Sequence, residues 1–134
     1  MIQSKLAVCA ESVVRDAETN TMSVFNIIED ISTSAFPVGM PKLSALFILE
    51  RSERDPEQVD CVVAVTMGEQ EIGRVPIEGN FEGKLLTRVI LVVQGIIIEK
   101  PGLLTIALSV NDKPMGAWSI AVRAIDPAAK TEME

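Results

Sequence analysis

The sequence predicts an all-β protein: a two-layer antiparallel β-sandwich, immunoglobulin-like or related, with about eight strands and no long helix. Three observations carry that expectation. First, 48% of the 134 residues are hydrophobic but only 4% are aromatic, with no Tyr and one Trp, so the core must be built from Val, Ile and Leu. β-Branched side chains are stiff at χ1 and pack well across a pleated surface. Second, apolar and polar residues alternate with a period of two in several runs, and the spacing never settles to 3.6. Third, turn-forming residues recur about every 8–12 positions, as in short strands joined by tight turns.

The elements follow in order. Leu6, Val8, Ala10 and Val14 alternate with Lys5, Cys9, Glu11 and Arg15, which reads as a first strand with one wet face. The polar run 16–21 is a turn, and 22–31 is a second strand with Phe25, Ile27 and Ile31 on one face, so the two should form a hairpin. Residues 32–41 form a loop because Pro37, Gly39 and Pro41 break any ladder. The third strand, 42–50, carries Leu43, Ala45, Phe47 and Leu49 on one face, with Leu46 and Ile48 on the other. A charged, exposed segment, 51–58, precedes a fourth strand at 59–67 with Val59, Cys61, Val63 and Val65 facing in. The stretch 71–82 contains Gly73, Pro76 and Gly79 and reads as a kinked or bulged edge strand.

Residues 88–123 read as an antiparallel meander of three strands, with turns at Lys100-Pro101-Gly102 and at Asn111-Asp112-Lys113-Pro114. Leu104, Ile106, Leu108 and Val110 alternate strictly with Thr105, Ala107, Ser109 and Asn111, and Trp118, Ile120 and Val122 continue the pattern in the last strand. The first strand of the meander is apolar on both sides. Residues 1–126 form one sandwich domain, and 127–134 a polar tail.

The segments LAVCAESVVRD, MSVFNIIEDI, FPVGMPKLSALFILE and PGLLTIALSVNDKPMGAWSIAV resemble, in that order, a group of short uncharacterised bacterial proteins classed as a domain of unknown function. The resemblance covers residues 5–122, and Phe36-Pro37 with Pro41 ahead of a strand is among its most telling pieces. It implies a compact β-sandwich with no assigned activity and no catalytic residues to carry over.

Composition limits the chemistry. No His removes the usual general base near neutral pH and the commonest metal ligand. A net charge of −7 with no basic stripe disfavours nucleic acid and anionic lipid as partners. Cys9 is placed on the polar face of its strand and Cys61 on an apolar one, so both are read as free thiols in a reducing cytoplasm. The apolar run before Cys9 is too short for a lipoprotein signal, and Gln94, Gly95 and Glu99 interrupt the longest apolar stretch before it could span a bilayer.

Each candidate constellation has a plainer reading. The acidic turns around Asp16, Asp55 and Asp112 are flanked by Arg15, Arg54 and Lys113, which offset a calcium site. Glu29 and Asp30 are adjacent on a strand and so point to opposite sides, with Glu29 reaching water at a strand end. Glycines 68 and 73 stand among acids that repel phosphate. Trp118 shares a face with Ile120 and Val122, which places it in the core with its indole N–H on a carbonyl or at a wet edge.

The positive signal is the doubled apolar face. Leu46, Ile48, Ile90, Val92, Ile96 and Ile98 would be exposed in a simple sandwich, and such patches mark interfaces unless a loop or sheet curvature covers them. The sequence therefore points to a non-enzymatic cytoplasmic interaction module that self-associates as a homo-oligomer, with no cofactor and no metal site. The alternative is a small-molecule binding module with a pocket between the sheets or under the 32–41 loop.

Overall fold

A computed structural model describes residues 1–40 and 42–126. Pro41 of the expected loop and the expected tail 127–134 lie outside the described residues. The described residues form eleven strands and no helix. They are β1 (Gln3–Arg15), β2 (Met22–Ile27), β3 (Asp30–Thr33), β4 (Val38–Met40), β5 (Leu43–Glu50), β6 (Gln58–Met67), β7 (Gln70–Asn80), β8 (Leu86–Val93), β9 (Ile96–Ile98), β10 (Gly102–Val110) and β11 (Lys113–Ala124).

Two sheets make the sandwich. One has the order β2-β1-β5-β8 and is antiparallel throughout. The other has the order β3-β11-β10-β6-β7, with β3 running parallel to β11. A third, small sheet pairs β4 with β9. Phe47, Leu43 and Leu49 from the first sheet meet Leu104, Ile106, Leu108, Ile120 and Val63 from the second, and Phe81 closes the core.

The strand count exceeds the expected eight because two expected strands divide and an expected loop supplies a third extra strand. The expected second strand breaks after Ile27, next to Asn26, which takes a left-handed φ of 59°. Its first part, β2, stays with β1, and its second part, β3, crosses to the other sheet and joins β11. Asparagine tolerates that backbone region better than most residues because its short side chain bonds locally; here Nδ2 donates to Glu11 Oε2 at 2.7 Å. The expected apolar strand over 89–98 breaks at Gly95, whose φ of 76° suits a residue without a Cβ. The loop 32–41 supplies β4, which pairs with β9.

The expected meander is thereby corrected. β10 and β11 do form a hairpin, joined by Asn111 and Asp112, both at positive φ, as a type I′ turn requires. β8 and β9 do not pair with β10: β8 lies in the first sheet beside β5, and the turn at 100–102 carries the chain across to the second.

The 51–57 segment is not wholly exposed either. Arg51 is buried, donates from Nε to the Lys84 carbonyl at 2.8 Å and from Nη1 to the Asp55 carbonyl at 3.1 Å, and stacks over the Phe81 ring at 5.5 Å. One guanidinium thus ties together two of the crossings between the sheets.

Candidate interaction surface

The register of the four-stranded sheet sorts its side chains. Ala7, Phe47 and Val89 stand in one row, and Cys9, Ala45 and Leu91 in another, on the side facing the second sheet. The rows Val8–Leu46–Ile90, Ala10–Ser44–Val92 and Leu6–Ile48–Arg88 face outward. The first strand is therefore reversed from its expected orientation. Its clean apolar alternation, Leu6, Val8 and Ala10, points away from the sandwich, and Cys9 points into it. Local periodicity finds two faces without saying which one the second sheet will cover.

Cys9 and Cys61 are both buried free thiols in the core. Burial pushes the Cys9 thiol up to about 12 and raises Cys61 as well. Neither has the lowered pKa of a reactive cysteine.

Part of the outer face is covered by the protein itself. Val8 is 5% exposed and Leu46 1%, yet neither belongs to the core between the sheets. The cover is the outer half of the β1–β2 hairpin. Continued straight at about 3.3 Å per residue, that hairpin would hold Asn20 near its tip roughly 35 Å from the row containing Leu6 and Arg88. Instead Arg88 donates from Nη1 to Asn20 Oδ1 at 3.1 Å and from Nη2 to the Asn20 carbonyl at 2.8 Å. The hairpin therefore arches back over the outer face and is clasped there. Its bend lies where Ser44 Oγ donates to the Glu11 carbonyl at 3.3 Å and Asn26 is left-handed. The tip is shaped by Asp16, whose Oδ1 accepts the N–H groups of Glu18 at 2.9 Å and Thr19 at 3.2 Å; these bonds hold its carboxyl below the ordinary value.

The six expected interface residues consequently part company. Ile90 at 43% and Val92 at 51% are exposed, side by side at the β8 edge. Ile48 is half-buried, and Leu46 lies under the hairpin. Ile96 and Ile98 are a correction: they belong to β9 and are buried in the core, while Ile97 between them is exposed. Alternation counted from Val92 through to Ile96 fails because Gly95 turns the chain into a different sheet. Sequence reasoning missed Ile27 as an exposed residue. It stands opposite Ala10 on the outer side and is 51% exposed, as the reversed face of β1 demands.

The chain belongs to a family of unknown function, DUF6941. The family model matches residues 5–123, nearly the whole sandwich. No curated protein matches the chain. The DUF6941 match therefore spans the clasping hairpin and the β8 edge together.

The other expected constellations disperse. Among the described residues, no group of three or more Cys, Asp or Glu is placed to hold a metal ion. Glu29 is exposed between β2 and β3. Trp118 packs on the core and its Nε1 donates to the Ile28 carbonyl at 2.7 Å, as expected of a core indole. Core side chains pack between the sheets, and the 32–41 segment contributes Phe36, Val38 and Met40 to that packing. A concavity of about 500 Å³ opens at the surface between the 67–72 and 97–102 segments. Among the described residues, no helix is long and apolar enough to cross a membrane.

Proposed function

We propose that the protein is a non-enzymatic cytoplasmic interaction module that works as a homo-oligomer. The observation that carries this reading is the exposed apolar strip of Ile90 and Val92 on the outer side of β8, which the protein's own hairpin leaves uncovered. Apolar surface left open beside a covered patch of the same sheet gains free energy when a partner removes it from water, by roughly 25 cal/mol per Å². The cytoplasmic part rests on two buried cysteines that remain unpaired, as suits a reducing compartment. The non-enzymatic part rests on the absence of His and on the lack of any convergent set of polar groups in the sequence.

Light scattering of the purified chain at high micromolar concentration tests the proposal. A dimer or larger species is expected. A strictly monomeric species under those conditions would sink it.

A further inference from the structure

We infer that the exposed edge of β8 is a strand-pairing site, and that its occupant is β8 of a second copy of this chain, running antiparallel. The inference rests on the proposed self-association and specifies how it occurs: through backbone hydrogen bonds at an edge, in addition to apolar contact at a face.

An edge strand presents a row of free N–H and C=O groups, and proteins usually blunt such edges. Among the described residues, three of the four edges of the two main sheets are blunted, and the β4–β9 pair is only three residues long on each side. β7 carries Pro76, which has no N–H, with Glu71, Arg74 and Glu78 exposed along it. β3 is four residues long and begins at Asp30. β2 is six residues long, and its backbone turns left-handed at Asn26. β8 has none of these devices. It runs eight residues without Pro or Gly, pairs with β5 on one side, and has no strand on the other among the described residues. Its one charged residue, Arg88, is already held by Asn20. Leu91 and Val93 face the core but are only half-buried, as an unpaired edge leaves them.

The same features identify the occupant. An unpaired edge takes an extended strand, and the flanking side chains decide which one. A two-fold axis normal to the sheet pairs β8 with itself and keeps outer side chains beside outer ones. In a register centred on Ile90, the two Ile90 side chains meet, and each Arg88 lies opposite a Val92. No like charges then face each other, and the apolar strip of Ile90 and Val92 continues from one copy into the next. On the inner side Val89 meets Leu91. A basic peptide would find no acid along β8, and an acidic one only Arg88, already hydrogen-bonded to Asn20, whereas a second β8 sets Ile90 against Ile90 and Val89 against Leu91 at the centre of the pairing. The product is one continuous eight-stranded sheet.

The test compares two edges of the same sheet by sedimentation velocity, with circular dichroism checking that each variant is folded. Val92→Lys and Ile90→Lys charge the β8 edge, and Ile27→Lys charges the outer side at the β2 edge. The expected result is a wild-type dimer that the two β8 variants convert to monomer, with at least a 30-fold rise in dissociation constant, while Ile27→Lys remains dimeric. Amide exchange reads the backbone directly: residues 88–93 should exchange more slowly as protein concentration rises. Loss of the dimer in all three variants, with no concentration-dependent protection of β8, would overturn strand pairing and leave self-association through the outer face standing. A monomeric wild type would overturn both.

Discussion

Cys9 sits fully buried in the core with its thiol pushed up to about 12, against an ordinary value of 9.0. Between those two values the native state keeps a proton that the unfolded chain releases. Stability from this residue is therefore full below pH 9 and falls as pH rises toward 12, at up to about 1.4 kcal/mol per pH unit. Urea titrations at pH 8 and 10.5 should show wild type losing roughly 2 kcal/mol more than Cys9→Ala over that interval. Equal losses would mean that the thiol titrates as if exposed. Arg51 makes a second residue-scale argument. It is buried with two backbone carbonyls as acceptors, so Arg51→Ala leaves those carbonyls short of partners and should cost about 2–4 kcal/mol in chemical denaturation. Its ion pair with Glu57, at 3.6 Å, is a lesser contribution because the Glu57 side chain is exposed; Glu57→Ala should cost under about 0.5 kcal/mol. A larger loss from Glu57→Ala than from Arg51→Ala would reverse this assignment.

At the scale of the element, the β1–β2 hairpin converts a strand into a cover. Removing the Arg88 guanidinium frees its tip, and hydrogen bonds of this exposed kind are worth about 0.5–1.5 kcal/mol each. Arg88→Ala should speed amide exchange over residues 13–24 by roughly 5-fold or more, up to about 150-fold if both bonds count in full, and leave β10 unchanged. Unchanged exchange in the hairpin would mean that packing alone holds it. The sequence made some of these elements legible and concealed others for a definite reason. The strands β6, β10 and β11 were readable because their alternation is strict and one side is wet. The two divided segments were not, because Asn26 and Gly95 look locally like ordinary interruptions, and only long-range pairing sends β3 and β9 to other sheets. Alternation correctly read Ile90 and Val92 as exposed, since both lie within a single strand. It failed at Ile96 and Ile98, which lie beyond the turn, and at Leu46, whose cover comes from residues more than 20 positions earlier in the chain.

For the molecule as a whole, charge opposes the proposed association and supplies its clearest test. Each chain carries a net charge of −7, so two copies repel as they approach. The β8 edge contributes no acidic residue, which places the repulsion in the surrounding surface and the attraction in the apolar strip. Salt screens the first over about 10 Å at 0.1 M and does not weaken the second. The dimer should therefore tighten several-fold as sodium chloride rises from about 20 to about 300 mM. Lowering the pH toward the isoelectric point near 4.6 should act in the same direction, because protonated carboxylates remove the like charges. Sedimentation velocity over both series separates the contributions. A dimer that loosens with added salt would instead be held by ion pairs, and strand pairing at β8 offers none, since Arg88 is committed to Asn20.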